Sequence, residues 1–220
     1  MCQTWADLDY PVTVLDGGAF ESADNPGLEQ ILEFPMSQPP GGLDESTWRV
    51  IPAAHGLKGL LSAGRSLVDI EGRLTALCPE DGVVIVYAQA EMLAPLLRNT
   101  RVQPVVVASS EPNALLACYL ALKRMLSVPG LEPLLIDIPC NNPALHPGAA
   151  QTLADCTQNY LNHPLQVARL RAAHEDAPAA ADMQRLALRV LESAQPLSGR
   201  WPPMPHNGTK IGAGQINRSH

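Results

Sequence analysis

The chain has 220 residues, 46% of them apolar and 17% charged, with a formal net charge of −7. That length suits one domain with a substantial core, and the composition is globular rather than disordered. The acidic balance argues against a nucleic-acid groove, which needs clustered Lys and Arg, and against unaided attraction to anionic lipid.

The first element expected is a strand over Val12–Leu15, ending in Asp16-Gly17-Gly18. A second strand follows at Trp48–Ile51, after a Pro- and Gly-rich loop over Met36–Ser46. The spacing of apolar residues predicts a helix over Leu67–Leu77, and a strand over Gly82–Tyr87 comes next. The strand Val105–Ala108 leads into a helix over Glu111–Leu126, where Glu111-Pro112 suits a helix start. A strand at Leu134–Ile138, a helix at Pro147–Leu161, a weak strand at Gln166–Leu170 and a helix at Ala179–Ser193 complete the series. From Gln195 onward the Pro, Gly and Asn content predicts a disordered tail.

The runs VVIVY and PVVVA are apolar at consecutive positions, as strands covered on both faces should be. They are expected as adjacent central strands. Strand–helix alternation of this kind predicts a three-layer α/β sandwich with a mainly parallel sheet, spanning 1–194, followed by the tail 195–220. Aromatic residues are scarce, so the core is expected to be aliphatic.

No apolar run approaches the roughly 18 residues of a membrane span. The opening MCQTWADLDY has neither the basic start nor the apolar segment of a signal peptide. Cys2, Cys78, Cys118, Cys140 and Cys156 show no zinc-site or redox CxxC spacing, which fits reduced thiols in a cytoplasm.

Ligands of open α/β sheets bind beyond the carboxyl ends of the strands. The positions there are Asp16, Gly17 and Gly18, then Tyr87 and Gln89, then Ser109, Ser110 and Glu111, then Asp137. Neither serine sits in a GxSxG elbow, and both read as helix caps. His55 could act as base or ligand, but with no carboxylate or second histidine nearby in sequence it reads as a loop-surface residue. His146, His163 and His174 lack metal-ligand spacing, and nothing local would activate Cys140. Asp176 and Asp182 read as a solvated helix face. No catalytic constellation emerges.

The order of these pieces resembles the MinD/ParA family of deviant-Walker ATPases. LDYPVTVLDGG is similar to the segment that closes the family's first helix and forms its second strand. WRVIPAAHGLKGL, PEDGVVIVYAQA and VQPVVVASSEPNALLACYLALKRM resemble later strands and their loops in the same order. The last match, through Glu111, Pro112, Ala117, Tyr119 and Lys123, points to the branch containing the flagellar-number regulators. PLLIDIP and NYLNHPLQVARL extend the likeness, which covers about residues 4 to 193.

The departures concern chemistry. The family's phosphate loop would precede residue 1. Its second catalytic acid falls on Gly18, its Mg²⁺-associated acid on Tyr87 and its base-recognising Asn on Asp137, so only Asp16 keeps an expected acid. Asp16, Gly17, Gly18, Tyr87 and Asp137 are thus read as a vestigial nucleotide site, with no catalytic residue, no metal and no cofactor. The resemblance implies a cytoplasmic regulatory or protein-binding module of bacterial flagellar placement. Its partners would be a second copy or a signal-recognition-type GTPase, with Tyr87 as contact residue or as an internal plug of the vacated site.

The competing reading is an active ATPase that uses ATP and Mg²⁺ and whose phosphate loop lies upstream of a misplaced start. A third is an unrelated small-molecule enzyme on a flavodoxin-like sheet. The segment QRLALRVLESA is only mildly basic, which argues against membrane contact.

Overall fold

The computed structural model describes residues 1–34, 48–77, 81–108, 112–138, 148–170 and 176–197. It opens with a short helix α1 (Cys2–Ala6) and strand β1 (Val12–Asp16), followed by α2 (Leu28–Glu33) and β2 (Trp48–Pro52). Helix α3 (Ala54–Ser62) leads through a 3₁₀ turn, Val68–Ile70, into α4 (Glu71–Leu77) and β3 (Val83–Tyr87). Helix α5 (Ala90–Leu96), β4 (Val105–Ala108), α6 (Pro112–Leu126) and β5 (Leu134–Asp137) follow. The described series ends with α7 (Ala149–Leu161), β6 (Gln166–Arg169) and α8 (Asp176–Glu192).

The strands form two three-stranded sheets, ordered β2-β1-β3 and β4-β5-β6. Every pairing is parallel, with Val12 opposite both Trp48 and Val83 in the first sheet, and Leu134 opposite Val105 and Gln166 in the second. Parallel neighbours need crossover connections, and the helices between successive strands supply them.

Strand residues alternate between the two faces. Val84 and Val86 pack into a large apolar cluster with Leu57 of α3, Leu96 of α5 and Met125 at the end of α6. Val83 and Ile85 point the other way, into a cluster with Trp5 of α1 and Ala187 of α8. In the second sheet Val106 and Leu135 pack under α6 and α7, whereas Leu134 and Ile136 meet Leu186 of α8.

Helix α8 therefore lies across both sheets. Val190 belongs to the apolar cluster of each, as does Met1. On the opposite face α5 packs against α6 and joins the two halves there.

The expectation for VVIVY and PVVVA needs correction. Among the described residues β3 pairs only with β1 and β4 only with β5, so each is the edge strand of its own sheet, and neither is central. The two are not hydrogen-bonded neighbours. The run PVVVA does not report cover on both faces either, since Val106 packs under α6 and α7 while Val105 and Val107 are exposed, the latter at 51%. It says nothing about whether a strand lies on either side.

Four helices were not among the elements that apolar spacing predicted, although the family resemblance implied a helix before β1. Helix α3 carries two glycines and α5 carries Pro95, residues that weaken intrinsic helix propensity. The helices α1 and α2 are only five and six residues long. The expected loop over Met36–Ser46 lies outside the described residues. Of the expected tail, residues 195–197 are described: Gln195 accepts the Arg101 backbone N–H at 2.9 Å and Leu197 packs against the large cluster. The remainder of the tail lies outside the described residues.

Candidate functional site at the strand ends

The carboxyl ends of β1, β2 and β3 meet around Asp16-Gly17-Gly18. The Gly17 N–H donates to the Tyr87 carbonyl at 2.7 Å, extending the β1–β3 ladder by one bond. A side chain at Gly17 would sit 2.7 Å from Ala88 Cβ and 2.9 Å from the Tyr87 carbonyl oxygen, so only glycine fits there. At Gly18 an added Cβ would meet only the Asp16 carboxylate, at 3.2 Å. Space alone does not exclude an acid at that position.

Asp16 is turned inward on its own loop. Its Oδ1 accepts the Gly18 N–H at 2.9 Å, an Asx turn, while its carbonyl accepts the Ala53 N–H at 2.9 Å from the end of β2. The carboxylate thereby fixes the turn after β1.

Glu21, which sequence reasoning passed over, is the buried acid of this rim. Its side chain is fully enclosed. Oε2 accepts the His55 N–H at 2.7 Å and Oε1 the Gly56 N–H at 2.9 Å, both in the first turn of α3. A longer contact of 3.4 Å reaches the Glu29 N–H of α2. A carboxylate on unpaired N–H groups at the positive end of a helix is a favourable arrangement. It also means that the α3 N-terminus already holds an anion supplied by this chain.

His55 is not a loop residue. It lies in the first turn of α3 with its side chain half-exposed. The carboxylate that the local sequence lacks comes from Glu21, whose Oε2 is 3.8 Å from His55 Nδ1. That distance is too long for a hydrogen bond. The His55 ring also lies 5.3 Å, centroid to centroid, from the ring of Phe20.

Tyr87 is 65% exposed and does not plug a vacated pocket, which removes the internal reading of this residue. Phe20, four residues beyond the end of β1, is 70% exposed. The rim thus presents two aromatic side chains to solvent in a chain with nine aromatic residues in all. Gln89 is exposed and its carbonyl begins α5 by accepting the Leu93 N–H.

Asp137 belongs to the second sheet, where its Oδ2 lies 3.8 Å from Arg169 Nε of β6. The first-sheet positions Asp16, Gly17, Gly18 and Tyr87 come together, and Asp137 stands apart from them across the break between the sheets. Ser109, Ser110, Glu111, Cys140, His146 and His174 lie outside the described residues. Asp182 is not solvated as expected: its side chain is largely buried and pairs with Arg185 at 3.4 Å. His163, at the end of α7, lies 2.9 Å through Nδ1 from the Pro164 carbonyl.

A cleft of about 500 Å³ lies at the opposite end of the second sheet, lined by residues that include Arg101, Gln103, Glu132, Gln166 and Glu192. It shares no residue with the strand-end rim. Among the described residues no group of three or more His, Cys, Asp and Glu side chains is arranged to hold a metal, and no helix is long and apolar enough to cross a membrane. No protein-family model matches the chain, and no curated protein matches it.

Proposed function

We propose that the chain is a catalytically degenerate, MinD/ParA-like protein-binding module on a P-loop-NTPase-like α/β fold, acting in regulation such as bacterial flagellar placement. The observation that carries the reading is the chemistry of the strand-end rim. An ATPase rim presents acids to Mg²⁺ and free N–H groups to phosphate. Here Asp16 is committed to its own turn, and Glu21 occupies the α3 N-terminus. The exposed side chains are the aromatic Phe20 and Tyr87. Exposed aromatics are the residues that anchor protein contacts.

The reading makes Tyr87 and Phe20 the contact residues and gives ATP no role. Its partners are a second copy or a flagellar signal-recognition-type GTPase. The test is sedimentation of the chain alone and with that GTPase, with and without ATP and Mg²⁺. Association unaffected by nucleotide and weakened about tenfold or more by Tyr87→Ala is the expected result. Magnesium-dependent ATP turnover abolished by a substitution within the chain would overturn it in favour of the ATPase reading.

A further inference from the structure

Charge is distributed unevenly along the chain. Residues 1–64 carry nine of the 22 acids and only two of the 15 Lys and Arg, Arg49 and Lys58. That stretch therefore holds the whole net charge of −7, and residues 65–220 balance at 13 of each sign. It builds β1, β2 and the loops at their carboxyl ends, where Phe20 stands exposed.

The strand-end rim follows the same rule. Segments 16–26, 52–57 and 87–91, which leave β1, β2 and β3, contain Asp16, Glu21, Asp24 and Glu91 and no Lys or Arg. Lys58, next on α3, is the nearest such residue in sequence. Asp24 and Glu91 are exposed and Asp16 is half-buried. Among the described residues none of these three is in an ion pair. The undescribed stretches up to residue 111 (35–47, 78–80 and 109–111) add Asp44, Glu45, Glu80 and Glu111, and again no Lys or Arg. They give the rim no cation wherever they sit.

Pro52, Asp16 and Tyr87 stand opposite one another in the register of β2, β1 and β3. Adjacent strands lie about 4.8 Å apart, so the outer two strand ends are about 10 Å apart. Phe20, its ring 5.3 Å from that of His55, marks the β2 side, and Tyr87 ends β3. Between them lie the Asp16 carboxylate and the backbone of Gly17 and Gly18. An apolar partner laid across both rings would desolvate that carboxylate without a counter-charge. A ring face among carboxylates favours a cation, through the ring quadrupole and the surrounding charge together.

We propose that this rim docks a basic, extended segment of the partner polypeptide, with one cationic side chain on Phe20 and a second on Tyr87. The inference rests on the protein-binding reading and names the partner's chemistry. In a polyproline II backbone three residues advance about 9 Å and return the side chain to the same face, which matches the separation of the strand ends. Arginine suits the site better than lysine, because its planar guanidinium stacks on a ring and still donates to a neighbouring carboxylate. The charge of residues 1–64 also steers such a segment toward the rim, so its association slows as salt is added.

The test adds to the 220-residue chain a peptide with two arginines three positions apart in a Pro, Gly and Ser background. The ring resonances of Phe20 and Tyr87 are followed by NMR. Saturable shifts of both rings are expected, with affinity falling about tenfold when both arginines are replaced by citrulline, which keeps the shape and loses the charge. Phe20→Leu and Tyr87→Leu, read at the remaining ring, should each weaken binding as much as the alanine variants, because leucine keeps apolar area and has no ring face.

Absence of saturable shifts, or equal binding of the citrulline peptide, overturns the proposal. Full binding by the leucine variants overturns it in favour of a plain apolar contact. Equal shifts around Asp7 and Asp9, at the other end of β1, would show attraction by net charge alone and overturn it as well. The chain's own Arg200, Lys210 and Arg218 are competing cations, tested by replacing all three with Ala. The Phe20 and Tyr87 resonances of the free protein should not move, and movement assigns the rim to this chain and overturns the choice of a partner. The two readings fail separately. A partner that binds through Tyr87 and is indifferent to salt and to loss of its basic residues keeps the protein-binding reading and removes this one. Association that requires ATP and Mg²⁺ removes the protein-binding reading, and arginine-dependent shifts of the two rings stand regardless.

Discussion

Glu21 and His55 stand 34 positions apart in the chain, yet the Glu21 carboxylate accepts the His55 backbone N–H at 2.7 Å. With the Gly56 N–H on its other oxygen, this acid sits on the first turn of α3 and ties the loop after β1 to the helix after β2.

Replacing Glu21 by Ala should therefore destabilise the fold by about 3 kcal/mol, since two charge-assisted hydrogen bonds are lost and buried N–H groups are left unpaired. Glu21→Gln should cost less, because the amide oxygen retains one of the two bonds. Urea unfolding followed by tryptophan fluorescence measures both. Equal stability of all three proteins would show that solvent satisfies the α3 N-terminus unaided.

Adjacent glycines should respond in opposite ways. Gly17→Ala places a methyl group 2.7 Å from Ala88 Cβ and 2.9 Å from a backbone oxygen, and should cost about 1–3 kcal/mol. Gly18→Ala meets only the Asp16 carboxylate, at 3.2 Å, and should change stability by about 0.5 kcal/mol or less. Thermal denaturation of the pair decides the point.

Tyr87→Ala and Phe20→Ala should leave stability within about 0.5 kcal/mol of the parent, because both side chains are mostly exposed. A loss beyond about 2 kcal/mol on denaturant unfolding would mark these residues as structural and undo their assignment as contacts.

Trp5 offers a contrast, being 2% exposed with its indole N–H donating to the Ala187 carbonyl at 3.0 Å. Trp5→Phe should destabilise by about 1–2 kcal/mol through the lost bond, and Trp5→Ala by about 3–5 kcal/mol through the added cavity. Chemical denaturation should return that ranking.

Asp69 supplies a pH prediction. The backbone N–H of Ser66, at 2.6 Å, and then its hydroxyl, at 3.0 Å, hold the Asp69 carboxyl below its ordinary value. A depressed folded value means that the stabilisation is complete above the ordinary carboxylate range and fades as pH falls through the folded value. Ser66→Ala removes the hydroxyl and keeps the N–H, so the Asp69 titration should move part of the way back up. Carbon-detected NMR of the carboxyl would follow it, and an unmoved midpoint would assign the shift to the backbone bond alone.

The strands were legible in the sequence because their signal is local. Val83–Tyr87 and Val105–Ala108 announce themselves as strands through their β-branched composition, and even the weak Gln166–Arg169 strand lies where its pattern put it. What lies beside a strand is not encoded in that pattern, so the expectation of two adjacent central strands failed. Asp16, Gly17, Gly18 and Tyr87 could be named because strand ends are predictable places in a parallel sheet. Glu21 could not, since the donors that define its role come from residues 34 and 35 positions away. Likewise, the short α3 and α5 are held by packing rather than propensity, their Gly and Pro residues pointing the other way.

Because α8 lies across both sheets, its timing during synthesis matters. Residues 1 to 170 can leave the ribosome and form all six described strands while the helix that spans them is still being made. Until Leu186, Ala187 and Val190 emerge, Trp5, Ile85 and Ile136 lack their apolar cover. Closure of the first helix on the last spans 182 positions, a contact of high sequence separation that slows the final step. The nascent chain therefore passes through an interval in which half-sheets with exposed faces coexist with open edges, the condition under which chaperone capture competes with folding.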